Sequence, residues 1–338
     1  MRGIFDRLQG MMGGARSAPV ILAYHRIATP AVDPWRLAVS PAQFRAHLAF
    51  LTRHRRPMAM KEFISRLKAR DLPPEAVALT FDDGYRDNLL NAKPLLLEYA
   101  VPATICLATG YISKRHEFWW DELARLTLGH RDGAKSKIHL GDDVVEVTFA
   151  PMPMEGPEVD PWQDSDPVES GRARAYFELW SKLRDLSWEK RETSLATIRE
   201  ALESGTVDDE SGPVDESDIV ELAAQDLIEI GAHSVTHPRL TTLTPEEQKR
   251  EICESKEVCE RLSGQPVLGF AYPHGDFDPT TQDLVRRAGF HWACTTHSAC
   301  VDVECFDLFA LPRVQAVNRP DMPSTLRYLS GIAMAAGS

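Results

Sequence analysis

No two of the six cysteines, Cys106, Cys253, Cys259, Cys294, Cys300 and Cys305, stand as a CxxC pair. These spacings argue against a zinc-thiolate site. No apolar run reaches the roughly 20 residues that a membrane helix needs, so no transmembrane segment is expected. The first residues, MRGIFDRLQGMMGGARSAPV, lack the continuous apolar stretch of a secretory signal, because Asp6, Arg7 and Gln9 interrupt it. Without such a signal the expected setting is cytoplasmic, with reduced thiols. Basic surplus is missing too. The net charge of −12 argues against a nucleic-acid partner, which needs a basic face to neutralise phosphates. Between residues 141 and 170 there is no Lys or Arg at all, and after His297 no histidine. No internal repeat of fixed period is found.

What is present is a chain of 338 residues, 43% of them hydrophobic, enough for one large domain with a sizeable core. Residues 1–18 read as a leader. Its Ile4, Phe5, Leu8, Met11 and Met12 could line one face of a short helix making weak membrane-surface contact, although a frayed segment is the plainer reading. Short apolar runs then alternate with helical spacing. Strands are expected at Val20–Tyr24, Ala76–Phe81, Ala103–Ala108, Leu227–Ala232, Val267–Tyr272, Phe290–Thr295 and Ala310–Val317. Helices are expected at Pro41–Arg53, Lys61–Ala69, Asn88–Tyr99, Pro245–Ser263 and Thr280–Ala288. This alternation implies an α/β fold with parallel strands. From about 113 to 218 the rhythm breaks into an acidic stretch, helical at His116–Leu128 and Tyr176–Leu202. It reads as one insertion into a domain spanning 19–338, serving as surface, lid or part of a substrate cleft.

The unusual residues collect directly after the strands. In Thr80-Phe81-Asp82-Asp83-Gly84-Tyr85, two adjacent carboxylates follow an apolar strand. A cation could compensate them, one carboxylate ligating while its neighbour stays free as a base. A helix cap or turn uses the same residues without chemistry, and the motif alone does not decide. In His233-Ser234-Val235-Thr236-His237, the i, i+4 spacing can bring both imidazoles to one point, a favoured zinc pairing. Two unrelated turn histidines are the alternative. Beside the paired aspartates, a metal site becomes the stronger reading, with coordination positions left open for water and substrate. In Phe270-Ala271-Tyr272-Pro273-His274-Gly275-Asp276, a Pro-X-Gly turn can aim a backbone N–H into a cleft as an oxyanion donor. His25, after the first strand, reads either as a buried, backbone-bonded histidine or as a catalytic group.

The ordered set TFDDGY, HSVTH and AYPHGD resembles the polysaccharide deacetylase family, relatives of the chitooligosaccharide deacetylases, over roughly residues 20–110 and 219–318. The resemblance implies a distorted (β/α) TIM-like barrel, here carrying a large, partly helical acidic insertion. It implies hydrolysis of N-acetyl or related acyl groups on a polysaccharide, an oligosaccharide or a glycan precursor. It further implies a divalent metal, zinc first, with cobalt, manganese or iron also suited. Position by position, Asp82 matches the general base, and Asp83, His233 and His237 the metal ligands. The backbone N–H of His274 matches the oxyanion donor, with Tyr272 and Pro273 beside it at the substrate. Two positions depart from the pattern. Ala271 stands where an Arg usually steadies the base, and His274 where an aromatic residue is usual. Arg313 is the candidate replacement for that Arg. The usual late Leu and His motif is absent. His25 is similar to the acid of a permuted branch, the poly-N-acetylglucosamine deacetylases, in which an early strand supplies it. Three other readings compete: a deformylase or deacetylase of a lipid-linked sugar, an inactive carbohydrate-binding relative, and a metal-independent amidohydrolase on a cyclic amide.

Overall fold

A computed structural model describes residues 18–113, 117–129, 133–140, 143–149, 171–202, 212–224 and 226–318. The leader, with its candidate membrane face, and most of the acidic run 141–170 lie outside these.

Eight strands form one sheet. In chain order they are β1 (Val20–Tyr24), β2 (Arg56–Pro57), β3 (Ala76–Phe81), β4 (Ala103–Leu107), β7 (Ile228–Ala232), β8 (Gly269–Ala271), β9 (Trp292–Cys294) and β10 (Val314–Gln315). Their spatial order is β10-β1-β3-β4-β7-β8-β9, with β2 also on β3. All pairings are parallel. The sheet curls toward closure, because the last segment serves both ends. Leu311 exchanges backbone bonds with Ala293 and Thr295 beside β9, while Val314 and Gln315 pair with Leu22 and Ala23 of β1. This is the distorted barrel expected from the strand–helix alternation and the family resemblance.

Side chains alternate across the strands. Val20, Leu22 and Tyr24 join Val77, Leu79 and Phe81 in the main core. Ile21, Ala76 and Ala78 pack into a second one with Phe63, Leu67 and Trp292. Burial on both faces is why these strands read as unbroken apolar runs. Connecting helices include α1 (Pro41–His54), α2 (Met60–Ala69) and α3 (Lys93–Tyr99). A π-helical turn at Asn88–Ala92 precedes α3, where one continuous helix was expected.

The insertion builds a small subdomain. It contains α4 (Trp119–Thr127), a hairpin β5 (Ala134–Leu140) and β6 (Asp143–Phe149), α5 (Gly171–Arg184) and α6 (Trp188–Leu202). Two expectations need correction here. The stretch 176–202 is two helices broken at 185–187, and the hairpin was missed. Its alternation was present: Ile138, Leu140, Val145 and Val147 are buried, whereas Val144 is exposed. The composition around it, acidic and proline-rich, masked a short strand signal. The barrel resumes with α7 (Glu216–Ala223), α8 (Pro245–Ser263) and α9 (Pro279–Arg287). Helix α8 opens with a Thr244/Glu247 capping box and closes on left-handed Gly264. An N-cap of this kind contributes about 1 kcal/mol. Among the described residues no helix is long and apolar enough to cross a membrane.

Candidate active site

Strand β3 delivers Asp82 and Asp83, and a left-handed turn separates their duties. Asp83 has φ 72° and Gly84 φ 84°. At Gly84 a Cβ would be strained by the positive φ and would also meet Leu107 Cδ2 at 2.7 Å, which favours glycine there. Strand β7 delivers His233 on the neighbouring side of β4. The following loop places Ser234 at φ 64° and His237 at φ 54°. These are uncommon conformations for residues with a side chain, and they persist only where surroundings hold them. The hold is visible. Glu251 of α8 accepts the Val235 and Thr236 N–H groups at 2.8 Å each and the Thr236 hydroxyl at 2.7 Å. Ser234 Oγ accepts the His237 N–H at 3.1 Å.

The result is a buried triad. Asp83 Oδ1 lies 3.4 Å from Nε2 of both His233 and His237, and the three ligand atoms lie within 4.8 Å of one another. Nδ1 of His233 is 2.7 Å from the Ala271 carbonyl. Donation there leaves the Nε2 lone pair facing Asp83. The residue at 271 thus orients a candidate ligand through its backbone, whatever its side chain. Asp83 Oδ1 is buried and accepts no hydrogen bond, a costly state for a charged oxygen unless a cation meets it. At His233 burial disfavours charge, but the Asp82 and Asp83 carboxylates outweigh it and raise the pKa; the pocket attracts positive charge. At His237 burial, then the neighbouring His274 and His233, hold the pKa well below the ordinary value. That keeps the ring neutral, as a ligand must be. Donor set, burial and orphaned oxygen all fit a divalent cation.

Asp82 turns the other way and meets Arg313 in a two-pronged contact, 2.8 Å from Nη1 to Oδ1 and 2.6 Å from Nη2 to Oδ2. Arg313 is itself fixed, donating from Nε to the Thr295 carbonyl and from Nη1 to the Thr80 hydroxyl, each at 3.0 Å. Burial alone would raise the Asp82 carboxyl, but the charges of Arg313 and His233 and the Arg313 hydrogen bonds hold it far below its ordinary value. His25 follows β1, with its carbonyl bonded by Asn88 Nδ2 at 2.8 Å. Its Nδ1 is 3.4 Å from Gln315 Nε2. The imidazole is close enough for its charge to act on Asp82 and His237.

His274 sits at φ 57° with its ring 4.6 Å from that of His237, at the exposed mouth of the site. The Pro273–Gly275 turn is tight, since a Cβ on Gly275 would lie 2.1 Å from Thr296 Oγ1. Tyr272 departs from its expected place at the substrate. Its side chain is fully buried, stacked on Phe277 at 4.7 Å and donating to the Phe309 carbonyl at 2.9 Å. That position leaves it a packing role.

Known proteins resemble this chain in sequence and fold. The model of the polysaccharide deacetylase family matches residues 69–139 and 198–293. The chain belongs to the polysaccharide deacetylase family. The gap between the matched segments lies within the insertion, and both His25 and Arg313 fall outside the matched residues. The Bacillus subtilis protein YxkH, assigned to the polysaccharide deacetylases, is 20% identical over 297 residues, covering 87% of this chain and 70% of that one. The poly-beta-1,6-N-acetyl-D-glucosamine N-deacetylase of Staphylococcus aureus is 31% identical over 80 residues. That match spans 23% of this chain and only 28% of the relative's length. Among solved structures, IcaB from Ammonifex degensii superposes with a TM-score of 0.57 at 18% identity, covering 94% of this chain and 98% of that one. The Streptococcus pyogenes deacetylase PplD, solved with acetate, gives 0.53 at 18% identity, covering 92% and 97%. At these identities the superpositions establish the fold. The order of β1 between β10 and β3 is consistent with the permuted branch.

Several residues of this deacetylase site carried too little sequence signal to be singled out. Asp87 accepts Arg26 Nε at 3.0 Å and the Ile27 N–H at 2.9 Å, bracing the chain just after His25. Glu251 looks like any helix-surface carboxylate in sequence. Trp120 of α4 lays its ring 4.8 Å from that of His237 and donates from Nε1 to Tyr85 Oη at 2.8 Å. Tyr85 in turn donates to Asp121 at 2.7 Å. The aromatic run His116–Leu128 was legible as a helix, but whether its insertion served as surface, lid or part of the cleft was left open.

Proposed function

We propose that this deacetylase is a metal-dependent hydrolase removing N-acetyl groups from an N-acetylated glycan, and that Asp82 is its base. The observation that carries the reading is the division of the aspartate pair. Asp83 meets two histidine ring nitrogens, while Asp82, one residue away, is held ionised and oriented by Arg313. The name of the Staphylococcus aureus relative supports the amide-linked acetyl group and the glucosamine glycan.

Asp83, His233 and His237 would hold the cation, and the two-nitrogen, one-oxygen donor set favours zinc while admitting cobalt, manganese or iron. When bound there, a divalent cation supplies Lewis acidity toward the acyl oxygen and acidifies water. Asp82 takes the proton of the attacking water. Its low pKa makes it a weak acceptor, so Arg313 trades basicity for a charge fixed in place at every working pH. The backbone N–H of His274 donates to the oxygen that becomes negative as the carbonyl carbon turns tetrahedral. As the C–N bond breaks, His25 gives a proton to the leaving amine, and acetate departs. Water has then been added across the amide, with the amine and the acid as products.

The test is acetate release from N-acetylglucosamine oligomers before and after chelation. Activity should vanish on chelation and return with added zinc or cobalt. Asp82→Asn should lower turnover by roughly 10²- to 10⁴-fold while leaving bound metal unchanged by elemental analysis. His25→Ala should impair turnover and likewise keep the metal. Near-full activity in Asp82→Asn would remove Asp82 from its assigned role.

A further inference from the structure

We propose that Trp35 is a stacking platform for a pyranose ring adjoining the sugar being deacetylated, so that the site is built for oligomers; this rests on the deacetylase reading above. Three independent features carry it.

The first is an exposed ring that is nonetheless locked. Trp35 is 38% exposed, yet its Nε1–H donates to Tyr176 Oη at 2.6 Å. Phe177 meets it edge-on at 5.5 Å and Trp180 lies 4.7 Å away. All three partners belong to α5 of the insertion. Singly exposed aromatics are common and need no explanation. One whose polar atom is already satisfied and whose ring packs against two neighbouring rings has little rotamer freedom left before any ligand arrives. Such a ring binds at a low ordering cost.

The second is the loop that presents it. Residues 26–39 leave and rejoin the barrel through backbone bonds from Arg26 to Leu37, Ala28 to Val39 and Val39 to Arg26. The Asp33 carboxylate accepts the Leu37 and Ala38 N–H groups at 2.9 Å each. Arg36, next to the tryptophan, takes φ 53°. The turn is thus fixed on both sides of Trp35, and it begins one residue after His25.

The third is continuity with the site. Trp180 stands edge-on to His274 at 6.4 Å, and His274 to His237 at 4.6 Å. A line of rings therefore runs from a metal-ligand candidate through the exposed mouth to Trp35. Charged groups fringe it. The Arg184 guanidinium lies 4.7 Å over Trp180, and Arg239 reaches Asp185 at 3.8 Å and Asp276 at 3.7 Å. A pyranose has an apolar C–H face and a rim of hydroxyls. Flat aromatic surface with charged hydrogen-bonding partners at its edge is the complementary chemistry.

The experiment compares wild-type protein with Trp35→Ala and Trp35→Phe, using the β-1,6-linked tetramer of N-acetylglucosamine, the free monosaccharide and 4-nitrophenyl acetate. Calorimetry gives Kd for the tetramer, and initial rates give KM and kcat. Equal thermal midpoints establish that the variants fold. Trp35→Ala should raise tetramer Kd and KM about tenfold, the size of a lost aromatic contact, with kcat and ester hydrolysis unchanged. Trp35→Phe should recover most of the loss. An unchanged tetramer Kd in Trp35→Ala overturns the proposal, as does wild-type protein that binds the tetramer no better than the monosaccharide. The two readings fail separately. Tetramer binding that depends on Trp35 without acetate release sinks the deacetylase reading alone, whereas acetate release with Kd indifferent to Trp35 sinks the platform alone.

Discussion

Asp82 and Asp83 are chemically identical neighbours given different work by what surrounds them. Asp83 Oδ1 has no hydrogen-bond donor and two imidazole nitrogens; Asp82 has a guanidinium on both oxygens. The pair could be read in the sequence, because two carboxylates after a buried strand demand compensation. The source of that compensation for Asp82 was legible only as a guess, since Arg313 is 231 residues away in the chain and its geometry depends on the last strand closing beside the first. Tyr272 shows the opposite failure. Its place in a motif suggested a role at the substrate, but a motif names positions and does not say which way a side chain points. A further single-residue consequence concerns His47 of α1. Burial pushes its pKa down to about 4, and its Nδ1 lies 3.2 Å from Tyr24 Oη. A base whose folded pKa lies below the unfolded value of about 6.5 binds fewer protons when folded. Its neutral form therefore supports the fold above about pH 6.5, and that support is lost as pH falls toward 4. Between pH 7 and pH 4.5, wild-type protein should lose roughly 2 to 3 kcal/mol more stability than His47→Gln, measured by denaturant unfolding at both pH values. Equal losses would show that His47 is not held neutral.

Apart from β2 and α7, the barrel strands and their helices were legible because each carries its own signal: apolar runs for buried parallel strands, and Thr244 with Glu247 opening α8. The loops that shape the site were not. Asp83, Ser234, His237 and His274 all take left-handed backbone conformations, and none of these residue types announces that in sequence as glycine would. What stabilises the HSVTH loop comes from a different element, Glu251 on α8. Glu251→Ala would leave the Val235 and Thr236 N–H groups without their acceptor and loosen the approach of His237. Metal affinity should fall about 10- to 100-fold, read by competition with a chelating dye, while kcat at saturating metal stays near the wild-type value. An unchanged affinity would mean that the loop holds its shape without α8. The β5–β6 hairpin was lost for another reason. Its period of two is correct, but it lies in a stretch whose acidity and prolines dominated the reading.

Barrel and insertion meet at the site rather than beside it. The insertion's core gathers Trp119, Trp120, Leu123, Tyr176 and Leu195 around Tyr85, Ala108 and Tyr111, which belong to the barrel's strand ends. His237 touches Trp120, so a cation held by Asp83, His233 and His237 would tie both cores together. A ligand that binds only the folded state raises stability by RT ln(1 + [L]/Kd), about 2.7 kcal/mol at a hundredfold excess over Kd. Protein stripped with chelator and then given zinc should unfold several degrees higher. The shift should be the same by far-UV circular dichroism, which reports the whole chain, and by fluorescence, which reports chiefly the insertion's tryptophans. A fluorescence midpoint that ignores zinc would mean that the two cores unfold independently.

The reach from Arg313 back to Asp82 also sets an order of events during synthesis. A ribosome extends the chain from the amino end at about 5–20 residues per second, so the aspartate pair and both histidine ligands emerge well before the guanidinium that secures Asp82. A nascent chain could assemble the triad while Asp82 still lacked its partner. If Asp82 is the base as proposed, the contact that orients it would be completed only by one of the last described residues to be made.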